Sequence, residues 1–150
     1  MTKRLKKYHL RLPSQSDNLA IIRDMVAKVA ENIGFSNDEA SKIELAVDEA
    51  CTNVIKHAYD NKGDKFIDVT IKIDKKKLMI IVADKGKGFN PDTVRLPDVG
   101  ESIKEGRKGG LGICLMRTLM DKVVFQIKPG IKNQVIMTKY FDKKESSATT

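Results

Sequence analysis

The stretch ELAVDEACTNVIKHAY, Glu44 to Tyr59, decides how the rest of this chain is read. Taken with Ile43 just ahead of it, its apolar residues recur at helical spacing. At about 100° per residue, Ile43, Val47, Ala50, Cys51, Val54 and Ala58 form one apolar arc. Glu49, Asn53 and His57 then fall successively about 40° apart along the edge of that arc and share a rim. A carboxylate at the rim of a buried face is partly desolvated and suited to act as a base. An amide oxygen one turn on can ligate a hard cation such as Mg²⁺. Alone, the same residues also suit a plain solvent-facing helix edge.

Two further stretches stand downstream. In ADKGKGF, Ala83 to Phe89, an aspartate ends a strand-like run and is followed by Gly86 and Gly88. Such a turn can leave the Asp84 carboxylate pointing into a concavity, where it can accept a hydrogen bond from an exocyclic amine such as that of adenine. An ordinary hairpin turn has the same pattern. In KGGLGICLM, Lys108 to Met116, Gly109, Gly110 and Gly112 precede an apolar helix, whose free N–H groups and dipole favour phosphate. Arg107 and Lys108 add positive charge beside it. A flexible linker leading into a helix reads the same way.

Periodicity places these stretches in order. A short extended segment around Leu5 to Leu12 ends at Pro13, and Ser16 or Asp17 can cap a helix from about Asn18 to Asn32, stopped by Gly34. Ser36 and Glu39 form a capping-box pattern that opens the second helix, which runs to about Tyr59. Phe66–Ile73 and Leu78–Ala83 are rich in β-branched residues and predict a hairpin turning at Asp74 to Lys77. Asn90 to Gly109 has no sustained periodicity, and a loop of that length is usually functional. Leu111–Met120 predicts a helix, Lys122–Ile127 and Gln134–Tyr140 a closing hairpin around Pro129-Gly130, and Lys143–Thr150 a frayed polar tail.

Composition sets the outer limits. The chain has 150 residues, enough for one domain, spanning 1–150, that buries roughly 70% of its unfolded surface. No apolar run approaches the roughly 20 residues of a membrane span, and no signal-peptide core follows the basic Met1 to Lys7, so a soluble cytoplasmic protein is expected. Cys51 and Cys114 fall inside predicted helices and read as free buried thiols. The net charge of +8 is spread over strands and turns, and only 5% of the chain is aromatic, which favours a lysine-rich surface, or an acidic protein partner, over direct nucleic-acid binding. Pro91 stands where a third glycine would complete a dinucleotide fingerprint, and no GxxxxGK[ST] occurs. With His9 and His57 as the only histidines, neither HExxH nor paired CxxC exists for zinc.

The order and spacing of the three stretches resemble the N, G1 and G2 boxes of the GHKL ATPase superfamily, the Bergerat fold, and the short length most resembles its bacterial anti-sigma-factor serine kinases. The resemblance spans nearly the whole chain. It implies an α+β, two-layer α/β sandwich, a mixed and mostly antiparallel sheet covered on one face by helices, with an ATP lid at Asn90 to Gly109. It further implies Asn53 as the Mg²⁺ ligand, Asp84 for adenine, Gly86, Gly88 and Phe89 about the base, and Glu49 as general base. His57 lines the same site, and Lys108, Gly109, Gly110, Leu111 and Gly112 hold the phosphates. Arg107 or Lys108 contacts the γ-phosphate, with the choice open. The expected cofactors are ATP and Mg²⁺. The expected reaction is phosphorylation of a serine on an anti-anti-sigma factor by a homodimer that otherwise holds a sigma factor, with no membrane partner.

Three other readings share parts of this pattern. A histidine-kinase catalytic domain follows a helical dimerisation segment, for which 150 residues leave no room. A switch-type serine kinase phosphorylates a similar partner but releases a phosphatase activator. A non-catalytic ATP-dependent binding protein sequesters its partner without transfer; Glu49 argues against it.

Overall fold

A computed structural model describes residues 6–88 and 108–141. The chain runs β1 (Lys6–Pro13), a 3-10 turn (Ser16–Asn18), α1 (Leu19–Asn32), α2 (Asn37–Asn53), a π turn (Val54–Ala58), β2 (Phe66–Ile73), β3 (Lys77–Asp84), α3 (Lys108–Leu119), β4 (Lys122–Lys128) and β5 (Lys132–Tyr140). The five strands form one sheet in the order β1-β2-β3-β5-β4, and every pairing is antiparallel. The α+β class and the hairpins expected from the sequence are present, each strand within two residues of its expected ends.

Alternation along the strands assigns the two faces of the sheet. Ile67, Val69 and Ile71 of β2 and Leu78, Ile80 and Val82 of β3 are buried, while the residues between them are half exposed. The buried rows meet Ile22 and Val26 of α1, Ile43 and Val47 of α2, and Met116 of α3, so among the described residues the three helices cover one face. The other face is open. Across β1 and β2 it carries Lys7, His9, Arg11 and Lys72, with Arg11 and His9 both bonded to Asp68. Exposed pairs of this kind add little stability, and the cations are spread over strands as the composition implied.

Helix ends follow local chemistry, with one departure. Ser36 accepts from the Glu39 N–H at 3.1 Å, as its position predicts, and α1 stops at Gly34, whose φ is +110°. Ser16 and Asp17 do not cap α1. They form the preceding 3-10 turn, and Asn18 at the N-cap turns its amide to the Pro13 carbonyl at 2.9 Å. The capping residue there braces the chain entering from β1 instead of the helix. Of the cysteines, both unpaired, Cys51 is buried but Cys114 is half-buried.

Two features position the working end of the molecule. The buried Lys139 donates to the Leu119 carbonyl at 2.7 Å and lies 3.2 Å from Glu39, so β5 ties the C-terminus of α3 to the first turn of α2. At the other end of α2 the helix widens into the π turn, marked by the Tyr59 N–H bonding to the Val54 carbonyl five residues back. Among the described residues no helix is long and apolar enough to cross a membrane.

Candidate functional site

The β3 strand ends at Asp84, whose carboxylate falls on the buried parity of the strand and is 7% exposed. Three neighbours fix it. Its Oδ1 accepts from the Gly86 N–H at 2.8 Å and from Nδ2 of Asn133 at 3.0 Å, and Asn133 sits directly across the ladder on β5. Burial pushes the Asp84 carboxyl above its ordinary range, the two donors pulling the other way. With Oδ1 saturated by donors, Oδ2 remains to accept a donor from a ligand.

The turn after Asp84 is clamped to the rest of the protein. The Gly86 carbonyl accepts from Gly130 N–H at 2.7 Å and from Asn133 Nδ2 at 2.9 Å, and Lys87 N–H donates to the Ala58 carbonyl at 3.1 Å. A Cβ on Gly86 would stand 2.3 Å from that same Ala58 oxygen, so only glycine fits. Tyr59 completes the clamp, donating to the Phe66 carbonyl and accepting from the Lys85 N–H.

Asn53, 8% exposed, ends α2 and lines one cleft with Asp84, Gly88 and Asn133, floored by Met116 and Phe125. The enclosed part of this cleft measures only about 20 Å³, room for a single water, so any larger ligand would have to widen it. Met116, unbranched and adaptable, is suited to yield. A much larger hollow of about 1090 Å³ lies over the open sheet face, lined by Lys7, Arg11, Lys72 and Lys132 among others. Asp60, Asp64, Asp68 and Asp84 stand among those cations, and the hollow holds neither Asn53 nor Glu49.

Glu49 and Asn53 converge on α3. A Cβ on Gly112 would stand 2.8 Å from Glu49 Oε2 and 3.6 Å from both amide atoms of Asn53. The missing side chain is what lets the first turns of α3 approach these two residues. Burial raises the Glu49 carboxyl above its ordinary value, Asp48 adds to the rise and Lys56 opposes it. The glycines do not precede the helix as expected. α3 begins at Lys108, so the backbone of Lys108, Gly109, Gly110 and Leu111 forms its first turn, where N–H groups lack intrahelical partners.

The structure does not bring every expected residue together. His57 is exposed and does not line the cleft, because the π turn breaks the 100° advance that would have carried the rim from Asn53 to position 57. Phe89 and Arg107 lie outside the described residues, as does the expected lid apart from Lys108 and Gly109, which belong to α3. Asn133 was missed. The expected strand began at Gln134, one residue too late to include it, although Asn133 shares the parity of Val135 and Met137 and is therefore a polar residue in a buried row.

Asp84→Asn separates binding from folding. Losing a charged acceptor should weaken binding of an amine-bearing base by about 1.5–3 kcal/mol. Stability should hold or rise at neutral pH, because a carboxyl whose folded pKa is raised costs stability as pH climbs above its unfolded value, and the amide removes that cost. Titration of ATP into both proteins, with thermal midpoints measured alongside, checks both halves. Equal affinity would remove Asp84 from base recognition.

Known proteins resemble this chain in sequence and in fold. The model of the histidine kinase-like ATPase domain family matches residues 12–139. The chain is 32% identical to a serine-protein kinase RsbW of Bacillus mycoides, over 97% of this chain and 91% of that protein. It is 35% identical to a serine-protein kinase RsbW of Halalkalibacterium halodurans, over 89% of this chain and 83% of that one. Among solved structures, the RsbU and RsbW domains of Rv1364c from Mycobacterium tuberculosis superpose with a TM-score of 0.65 at 15% identity, covering 89% of this chain and 32% of that one, a likeness of fold.

Proposed function

The chain belongs to the histidine kinase-like ATPase family, and from that premise we propose that it is an ATP-dependent serine-protein kinase whose acceptor is a serine of an anti-anti-sigma factor. One observation carries the reading: Glu49 and Asn53 meet under Gly112 at the start of α3, beside the cleft that ends at Asp84. A base, a hard-cation ligand, unpaired helix N–H groups and a buried acceptor for an amine stand in the order in which a nucleoside triphosphate would need them.

Asp84 orients the adenine, and the α3 first turn, with its backbone donors, holds the phosphates. Asn53, nearly buried and directed to the same point as Glu49, is the protein ligand for Mg²⁺. The ion, when bound, offsets negative charge on the phosphates. Glu49 accepts the proton of the serine hydroxyl as its oxygen bonds to the γ-phosphorus and the bond from that phosphorus to the β–γ bridging oxygen breaks, releasing ADP. Phosphorylation adds about −1.5 to −2 charge to the acceptor protein and dissolves its complex. The kinase, working as a homodimer in this reading, is then free to hold a sigma factor.

Purified protein with Mg²⁺ and labelled ATP, added to lysate of the source cell, tests the reading. A single small labelled protein whose label sits on serine is the expected result. ATP binding with no labelled protein at any growth stage would replace transfer with sequestration.

The raised Glu49 carboxyl sets a pH signature. A base must be unprotonated to act, so a raised pKa means that the rate falls, on acidification, at a pH above the ordinary glutamate value of 4.5. Asp48→Asn should shift that acid limb downward, because it removes a neighbouring charge that raises Glu49. A limb that stays in place would show that another group controls it.

A further inference from the structure

Asn133 holds a second unused acceptor at the base end of the cleft. It is 2% exposed, and both hydrogens of its Nδ2 are committed, one to Asp84 Oδ1 at 3.0 Å and one to the Gly86 carbonyl at 2.9 Å. Because both bonds require a donor, the orientation of the amide is fixed. That leaves Oδ1, which is buried and has no partner among the described residues. An unsatisfied buried oxygen is costly and is retained where a ligand or function uses it. Gly88 keeps it reachable: a Cβ there would stand 2.9 Å from Asn133 Oδ1, and the φ of +70° at Gly88 further disfavours a side chain.

We propose that Asn133 is a specificity-determining residue, its Oδ1 acting with Asp84 Oδ2 as a pair of acceptors that selects a purine carrying an exocyclic amine over one carrying a carbonyl at the same carbon. The proposal rests on the ATP reading of this cleft and deepens it. An amino group has two N–H donors and satisfies both oxygens. A carbonyl in the same place presents lone pairs to two acceptors and leaves both unsatisfied, and sites built on buried polar groups reject such analogues far more strongly than apolar pockets do. Asn133 also holds Asp84 in its rotamer, so its two roles must be separated by experiment.

ATP and inosine triphosphate, which differ at C6 in the amine against the carbonyl and at the adjoining N1 in an acceptor against an N–H donor, provide that separation. Their affinities are measured for the intact protein, Asn133→Ala and Asn133→Ser, with thermal midpoints to confirm folding. The intact protein should prefer ATP by about a hundredfold or more, as expected for two misplaced acceptors. Alanine should cut that preference at least tenfold, and serine, whose hydroxyl both donates and accepts, should retain an intermediate preference. If both nucleotides weaken by the same factor in Asn133→Ala, Asn133 is a brace for Asp84 and the proposal fails. Should the alanine variant not fold, an unchanged ATP preference in Asn133→Ser that matches the intact protein at every concentration of Mg²⁺ would overturn it equally. Failure of the parent reading looks different: the intact protein would bind neither nucleotide.

Discussion

Glu49→Gln should lower the rate of phosphate transfer to protein by about 10²–10⁴-fold, the range for loss of a positioned general base, and leave ATP affinity nearly unchanged. The amide matches the carboxylate in shape, so it fits the space that the missing side chain of Gly112 leaves for Glu49. It cannot take a proton. Glu49 does not line the cleft that holds Asp84 and Asn133, so recognition of the base should survive. Stability should hold or improve near neutral pH, since a carboxyl raised by burial costs folding energy once ionised. Initial rates with labelled ATP and the acceptor protein, together with ATP titration, measure both quantities. Transfer at the intact rate would remove Glu49 from the chemistry; parallel loss of ATP binding would reassign it to the nucleotide.

The sheet was legible in the sequence because alternation is a strong, short-range signal. Ile67, Val69 and Ile71 against Asp68, Thr70 and Lys72 can lie on a sheet in only one way if the first set is to be buried. The turn at Asp74 was equally plain, its carboxylate receiving the N–H groups of Lys76 and Lys77. The cap of α1 was not. Ser16, Asp17 and Asn18 are all good capping residues, and Asn18, which takes the N-cap, turns its amide back to the Pro13 carbonyl five residues earlier, a bond that no capping pattern encodes.

At the site, residue types were legible and their registration was not. Glu49, Asn53 and Asp84 stood out because carboxylates and amides at the edge of apolar rows call for a reason. The π turn after Asn53 has no comparable signature in VIKHA, since it arises where α2 meets the Asp84 turn through tertiary contacts. It took His57 off the rim and delivered the Ala58 carbonyl to Lys87. Gly112 was read as part of a phosphate loop, whereas it lies inside α3, close against Glu49 and Asn53. Spacing gave the chemistry of these residues, and packing between helices gave their arrangement.

Gly86→Ala should be the most damaging small substitution in the clamp. The added methyl would meet Ala58 at 2.3 Å from its oxygen, 2.7 Å from its carbonyl carbon and 2.8 Å from its Cβ, and two of these atoms are backbone that cannot rotate away. Either the π turn or the Asp84 turn must move. The second carries Gly86's bonds to Asp84, Gly130 and Asn133, so moving it strips the donors that fix the Asp84 carboxylate. Overpacking costs about 1–3 kcal/mol and each lost hydrogen bond about 1 kcal/mol, so a loss of about 3 kcal/mol or more is expected, a fall in thermal midpoint on the order of 10 °C for a chain this size. ATP should no longer raise the midpoint, because the base site has been displaced. Gly130→Ala is the matched control: its φ is +75° but nothing lies within 4 Å of its Cβ, so it suffers backbone strain alone, about 1 kcal/mol, and keeps the ATP-induced rise. A Gly86→Ala protein with the intact midpoint and the intact response to ATP would mean that the π turn and the Asp84 turn are not packed as tightly as this clamp requires.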